Sequence, residues 1–342
     1  MTGTQALRLN NIQILRFIAA FAVVMSHWQP DPSGIFLHVF PFRSGVFGVD
    51  VFFVISEFVM AHSTISKNVS PASFMKRRIW RIVPLYWLLT LAVFCVAIVA
   101  PGVVGATSGS LVELLKSLFF IPFVKASGLI QPTLFVGWTL NYEMFFYLCF
   151  ALALFLPRPI LVLSTGFVLL VALGLAFPSE NTLWRFYSDP RVLEFSFGVW
   201  LRLLLPGLLG LRHLVAPAAL WLALAVLAVA AGWVVHDHMG EAWIIIVTLP
   251  VAAAIVAVSL MLPEGGSALY RGFVTLGDAS YACYLAHFFV LKAVLVVMPV
   301  EGVFARLALT ALAFGLVTVV SLMLFRLVER PSMRFLKSRF GG

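Results

Sequence analysis

Apolar residues along this chain come in long runs broken by short polar, basic, or proline- and glycine-bearing segments. About 20 helical residues cross the roughly 30 Å of bilayer hydrocarbon. Ten segments meet or approach that length: 11–28, 45–65, 79–100, 133–156, 159–177, 190–205, 214–234, 243–262, 276–298 and 303–328. The sixth is the shortest. The pattern predicts an all-α polytopic integral membrane protein of about ten transmembrane helices, because helices close their own backbone hydrogen bonds in lipid. Leu111–Phe123 is apolar but too short to span, and reads as a re-entrant or interfacial helix. With no internal repeat, no low-complexity tract and no loop long enough for a soluble domain, residues 1–342 are expected to form one membrane domain.

Composition agrees. The chain is 62% hydrophobic and 11% charged, against about 25% charged in soluble domains. A net charge of +9 would suggest nucleic acid in a soluble protein. Here the basic residues fall between apolar runs, where the positive-inside rule accounts for them, so no nucleic-acid partner is expected. A cytoplasmic N-terminus puts sixteen of the 23 Lys and Arg inside; the rest are Arg43, Lys116, Lys125, Arg185, Arg191, Lys292 and Arg306. Both termini are then expected in the cytoplasm. Arg8 before an apolar run, with Ala20-Phe21-Ala22 beyond, imitates a signal peptide. Arg16 leaves that run too short, so the first span is expected to stay in the mature chain. Cys95, Cys149 and Cys283 lie in apolar stretches and read as packing residues.

Ionisable residues inside lipid are costly and usually face a protein interior or a cavity. Arg16 and His27, eleven residues apart, share a helix face about 16 Å from end to end. Asp50 and Glu57 share a face of the second span, while Thr139, Glu143 and Tyr147 line one face of the fourth, with Trp138 and Asn141 beside them. Asp50 or Glu143 is expected to orient His27 as a general base, His27, Asp50 and Glu143 forming the catalytic set. Alone, His27 would read as a helix-end group bonding headgroups or backbone. Ser70-Pro71 predicts a capped helix start, followed by Arg78 and Arg81, which can grip phosphates or simply anchor the membrane edge. Ser280, Tyr284 and His287 share a face of the ninth span; His287 is either functional or a structural hydrogen-bonding group. His236-Asp237-His238 with Glu241 imitates a metal site but reads as a solvated loop, and no metal is expected.

Taken in order, several segments resemble the membrane-bound acyltransferase family 3, the O-acyltransferases that modify bacterial surface glycans. They are Arg16 to His27, Gly48-Val49-Asp50-Val51-Phe52-Phe53-Val54-Ile55-Ser56, Arg78-Ile79-Trp80-Arg81 and Pro84-Leu85-Tyr86-Trp87. Further matches are Trp138 to Tyr147, Glu194-Phe195 with Gly198, Leu276 to Tyr281, Tyr284-Leu285-Ala286-His287 and Val328-Glu329-Arg330-Pro331. The resemblance spans nearly the whole chain, and Trp138–Tyr147 looks most like the exopolysaccharide-acetylating branch.

The resemblance implies transfer of an acyl group, usually acetyl from acetyl-CoA, to a sugar hydroxyl across a bacterial inner membrane. The expected partners are acyl-CoA, a glycan or lipid-linked sugar, and membrane lipids. It assigns the essential Arg-x10-His pair to Arg16 and His27, and the RxxR pair to Arg78 and Arg81. Arg16, Arg78 and Arg81 are then expected to hold the donor. Trp138, Asn141, Ser280, Tyr284 and His287 are candidates for substrate or oxyanion contacts. Without an appended SGNH domain, this chain is expected to transfer directly to its acceptor. A secondary transporter or lipid-linked glycan flippase would suit the spans as well, but usually carries an internal repeat. One departure stands out: Ser56-Glu57-Phe58 occupies a place where the family usually has Ser-Gly-Phe. Glu57 is expected to add a third carboxylate to the interior or to obstruct the acyl path.

Overall fold

A computed structural model describes residues 9–28, 47–65, 69–101, 104–105, 107–210, 216–238, 247–298 and 300–340. Its elements are helices α1 (Asn10–Ser26), α2 (Phe47–Ile65), α3 (Pro71–Val99), α4 (Leu111–Leu118), α5 (Trp138–Ala153), α6 (Pro159–Ala176) and α7 (Thr182–Tyr187). They continue as α8 (Val192–Gly210), α9 (Pro217–His238), α10 (Leu249–Met261), α11 (Ala268–Asp278), α12 (Ser280–Val297), α13 (Val303–Leu324) and α14 (Arg330–Phe340). A 3-10 turn, Phe135–Gly137, leads into α5, and a π-helical turn, Phe325–Glu329, joins α13 to α14. Among the described residues, the β structure amounts to an isolated bridge between Val124 and Ile130.

Each of the ten apolar segments contains helix, with shifted ends. The third starts earlier than its apolar run, at Pro71. Ser70 caps it by accepting from the Ser73 amide at 3.3 Å, and proline at the first position needs no amide donor. The sixth is longer than expected, Val192–Gly210. The ninth is divided at Ala279 into α11 and α12. Among the described residues, six helices are long and apolar enough to cross a membrane by length and composition; Asn10–Ser26 and Leu249–Met261 are apolar but shorter. Those six support a multi-pass membrane protein and stop short of the expected ten spans. The Leu111–Phe123 segment forms the short helix α4, capped by Ser110. Arg8, Arg43, Lys67, Arg212 and Glu241, with the side chains of His236, Asp237 and His238, lie outside the described residues.

Exposed Leu88, Leu91, Val99, Leu169, Leu175 and Phe304 put a broad apolar surface on the outside of the bundle. Large exposed apolar faces of this kind match hydrocarbon rather than water. Cys95 joins that outer surface, Cys149 is half-buried, and only Cys283 is buried.

Inside, α2 packs against α8, α12 against α13, and α1 against α2, α11 and α12. α1 is held by two backbone contacts. A Cβ on Gly48 of α2 would overlap the Ala19 carbonyl oxygen and stand 3.1 Å from Val23 Cγ2. One on Gly277 of α11 would overlap the Gln13 carbonyl and stand 2.9 Å from its Cα. Glycine at both places lets the backbones touch, as in close-packed membrane helices. At the ends of α1, Asn11 donates to Leu262 O (2.8 Å) and Trp28 Nε1 donates to Thr310 Oγ1 (2.9 Å). These contacts fix the helix that carries Arg16 and His27.

Candidate active site

A cleft enclosing about 740 Å³, its mouth included, opens between α1, α2, α3, α5 and α12. Arg16, Arg78 and Arg81 line it with Glu143 and Tyr147; Thr139 and Tyr284 line it further along. Arg16 Nη1 donates to Gln13 (3.3 Å) and Arg78 Nη2 to Ser63 (3.4 Å), while Tyr147 donates a hydrogen bond to Glu143. Arg78 also lies over the rings of Phe74 (5.6 Å) and Tyr147 (5.9 Å). Glu143, Asp278, Glu329 and Arg81 are the charges that act on Arg16. Arg16 and Arg78 thus spend few of their five donors each on the protein, leaving planar forks suited to an anionic oxygen-rich ligand. Asp278 and Glu329 were not singled out by spacing. Their signal was their place in the Leu276–Tyr281 and Val328–Pro331 matches.

The other end of α1 holds a histidine pair. His27 is half-buried at the end of the helix, and its Nδ1 meets Val23 O at 2.9 Å. Since a carbonyl only accepts, that nitrogen carries the proton. His287, fully buried, likewise donates from Nδ1 to Tyr284 O (2.8 Å) and Cys283 O (3.2 Å), leaving Nε2 as acceptor. That Nε2 lies 3.4 Å from His27 Nδ1. When both rings are neutral they are therefore the Nδ1-H tautomers, and His27 keeps an unprotonated Nε2. An imidazole held this way is equipped to take a proton. Phe135 and Phe288 wall it, their ring centroids 5.7 Å and 6.3 Å from that of His27.

This arrangement corrects the expected carboxylate partner. Asp50 and Glu57 do share a face, but that face looks toward α8. Asp50 hydrogen-bonds Thr248 and is acted on by Arg191; Glu194, on α8, is acted on by Asp50. Glu143 faces the arginines. A 3.6-residue period says which residues share a face, and the neighbouring helix decides what that face meets. The expected polar partner of His27 is instead a backbone carbonyl and a second histidine.

Glu57 does not line the cleft, although Ile55, Ser56 and Val59 do. It is fully buried, and neither carboxylate oxygen has a hydrogen-bond partner among the described residues. A Cβ on Gly198 would stand 2.6 Å from the Glu57 Cβ, so the glycine missing at 57 is matched by one across the interface. The expected obstruction of the cleft is absent.

The remaining candidates separate. Tyr284 donates to Val136 O (2.9 Å) and accepts from Thr139 Oγ1 (2.9 Å), so its hydroxyl is engaged rather than free for an oxyanion. Ser280 is buried, its hydroxyl unpartnered among the described residues, and lies seven residues before His287. That is about 10 Å along the axis, too far for the expected oxyanion contact beside His27. Asn141 is buried, its amide unpartnered among the described residues, and does not line the cleft. Trp138 faces away from the cleft, beneath the Arg191 guanidinium at 5.3 Å.

The family model described as "Acyltransferase domain" matches residues 9–326. The chain is 34% identical over 304 residues to the exopolysaccharide production protein ExoZ of Rhizobium meliloti (strain 1021), covering 86% of this chain and 91% of that protein. It is 28% identical over 390 residues to the acyltransferase MdmB of Streptomyces mycarofaciens, covering 98% and 94%. No solved structure matches.

Proposed function

Because this chain belongs to the acyltransferase-3 family, whose model it matches from residue 9 to 326, we propose that it moves an acyl group from cytoplasmic acyl-CoA to a glycan hydroxyl across the membrane. Acetyl is the expected group, an extracytoplasmic or lipid-linked sugar the acceptor, and a bacterial inner membrane the setting, with both termini in the cytoplasm. The exopolysaccharide role in the name of the Rhizobium relative supports the acceptor class.

The observation that carries this reading is that one cleft is lined by three arginines and by Tyr284, which stands about one turn of α12 before His287, the partner of His27; the two histidines lie outside its lining. Arg78 and Arg81, with Arg16, would hold the donor phosphates at the cytoplasmic mouth. The acyl arm would lie along the cleft, its thioester presented toward His27. His27 Nε2 then takes the proton of the acceptor hydroxyl as that oxygen attacks the thioester carbonyl; the C–S bond breaks, and the thiolate leaves to be protonated. His287 and the Val23 carbonyl keep the base oriented. Asp50 has no part in this relay, and Glu143 serves the arginine end.

Sealed inside-out vesicles containing the protein and a luminal glycan acceptor, supplied outside with radiolabelled acetyl-CoA, test the proposal. Label should appear in luminal glycan with the wild type and be lost with His27→Ala. Equal labelling by both removes His27 as the base. No labelling by the wild type with a competent acceptor removes transmembrane transfer.

A further inference from the structure

α5 has two working faces. Thr139, Glu143 and Tyr147 look into the cleft, whereas Trp138 and Tyr142, also one turn apart, look into a second and larger groove. That groove encloses about 2040 Å³, its mouth included, between the 128–131 loop, the end of α6 and the 178–191 segment that contains α7. We infer that it is the binding groove for the acceptor, a short stretch of neutral oligosaccharide; this rests on the transfer reading above.

The chemistry of the lining supports a sugar. Trp138 and Trp184, both half-buried, contribute aromatic surface to the groove, with the buried Tyr142 behind them. Each is fixed by its neighbours. Trp184 Nε1 donates to Phe177 O at 3.0 Å, and Tyr142 stacks on Phe186 with 3.9 Å between centroids. Trp138 meets Tyr142 edge-on at 6.1 Å. Rigid aromatic faces of this kind offer large contact area at small entropic cost, and a pyranose has apolar C–H faces to lay on them.

Around the rings sit Asp189, Arg185, Glu180 and Arg191, which give the groove hydrogen-bonding groups for ring hydroxyls. Asp189 accepts from the Arg191 amide at 2.8 Å, setting the turn that closes this wall. Arg185 pairs with Glu180 at 3.7 Å at the exposed rim. Two cations against two anions favour a hydroxyl-rich neutral ligand over a polyanion. Without its open mouth the groove holds about 1080 Å³, at the upper end of the roughly 300–1,000 Å³ of ordinary small-molecule sites, room for more than one sugar ring.

The groove also borders the turn that packs on the base. The 3-10 turn Phe135–Gly137 runs directly into Trp138, and the Phe135 ring lies 5.7 Å from that of His27. α5 thus carries residues of both spaces, Thr139 and Glu143 toward the cleft and Trp138 and Tyr142 toward the groove.

Binding is measured on the full chain in phospholipid nanodiscs, without any acyl donor, so the result does not depend on catalysis. The probe is an oligosaccharide fraction released by mild hydrolysis from the surface polysaccharide of the source bacterium, titrated by intrinsic fluorescence. Saturable binding is expected, weakened about tenfold or more by Trp184→Ala, and largely kept by Trp184→Phe. Asp189→Asn should weaken it as well, and an unchanged thermal midpoint should accompany each variant. Binding that ignores these substitutions, or absent binding by a protein that still transfers label in vesicles, overturns the groove assignment. Binding that follows them in a protein without transfer supports the groove and defeats the transfer reading instead. A response to exchange of phospholipid headgroups, with none to oligosaccharide, makes the groove a lipid site and overturns the proposal.

Discussion

Gly277→Ala and Gly272→Ala place the same methyl group on one helix with opposite expectations. At Gly272 nothing lies within 4 Å of the new Cβ. Alanine there should be neutral or stabilise by about 0.5–1 kcal/mol through helix propensity. At Gly277 the Cβ overlaps the Gln13 carbonyl and stands 2.9 Å from Gln13 Cα. Ordinary carbon–carbon contact is about 3.5–4.0 Å, so α11 and α1 must part by about 1 Å. α1 cannot follow freely, since Asn11 accepts from the Tyr270 hydroxyl at 2.7 Å and Phe17 packs on Phe273 at 5.8 Å. Overpacking of this size costs about 1–3 kcal/mol. Gln13 also accepts from Arg16, so the displacement reaches the cleft, where about 1 Å of misplacement can cost about 100-fold in rate. Purified variants would be compared by thermal unfolding, and the same variants in inside-out vesicles by transfer of labelled acetyl. Equal midpoints and equal rates for the two variants would refute the close-contact reasoning.

Other substitutions separate the two ends of the site. His287→Ala removes the acceptor facing His27 Nδ1 and should lower the transfer rate about tenfold or more without raising the KM for acyl-CoA; a raised KM at unchanged rate would contradict the assignment. Asp50→Asn should leave the rate within about threefold, while Asp50→Ala, which strands Thr248, should lower stability by about 1–3 kcal/mol; loss of transfer in Asp50→Asn would return Asp50 to the relay. Lys125 is buried in the loop before α5, donating to Thr107 (2.9 Å) and Thr133 O (3.4 Å). Burial lowers its ammonium pKa to about 8, against the raising effect of Glu113. An unfolded lysine titrates near 10.4, so between about pH 8 and 10.4 the unfolded chain holds more protons and stability rises with pH. The cost is full below pH 8. The thermal midpoint of the wild type should gain on that of Lys125→Met between pH 7.5 and 10; parallel curves would refute the linkage.

Much was legible in the chain itself. Long apolar runs announce lipid-spanning helices because a helix is the one local structure that satisfies its own backbone in hydrocarbon. Ser70-Pro71 announces the start of α3 because the cap and the missing amide act within four residues. Helical periodicity placed Thr139, Glu143 and Tyr147 on one face, and Tyr147 does donate to Glu143. Arg16 could be marked as unusual because a cation inside an apolar run is costly wherever it packs, and Arg78 and Arg81 could be paired because i, i+3 neighbours share a helix face. None of these inferences needs a second helix. The tertiary structure decided everything that does: that α8 and not α1 receives the Asp50 face, that Gly198 makes room for Glu57, and that His27 meets His287, 260 residues away in sequence. Periodicity sets an angle about a helix axis, but the rotation of one helix against another is chosen by which backbones can touch. In this chain that choice is made at Gly48 and Gly277, where two missing side chains let α2 and α11 close on α1.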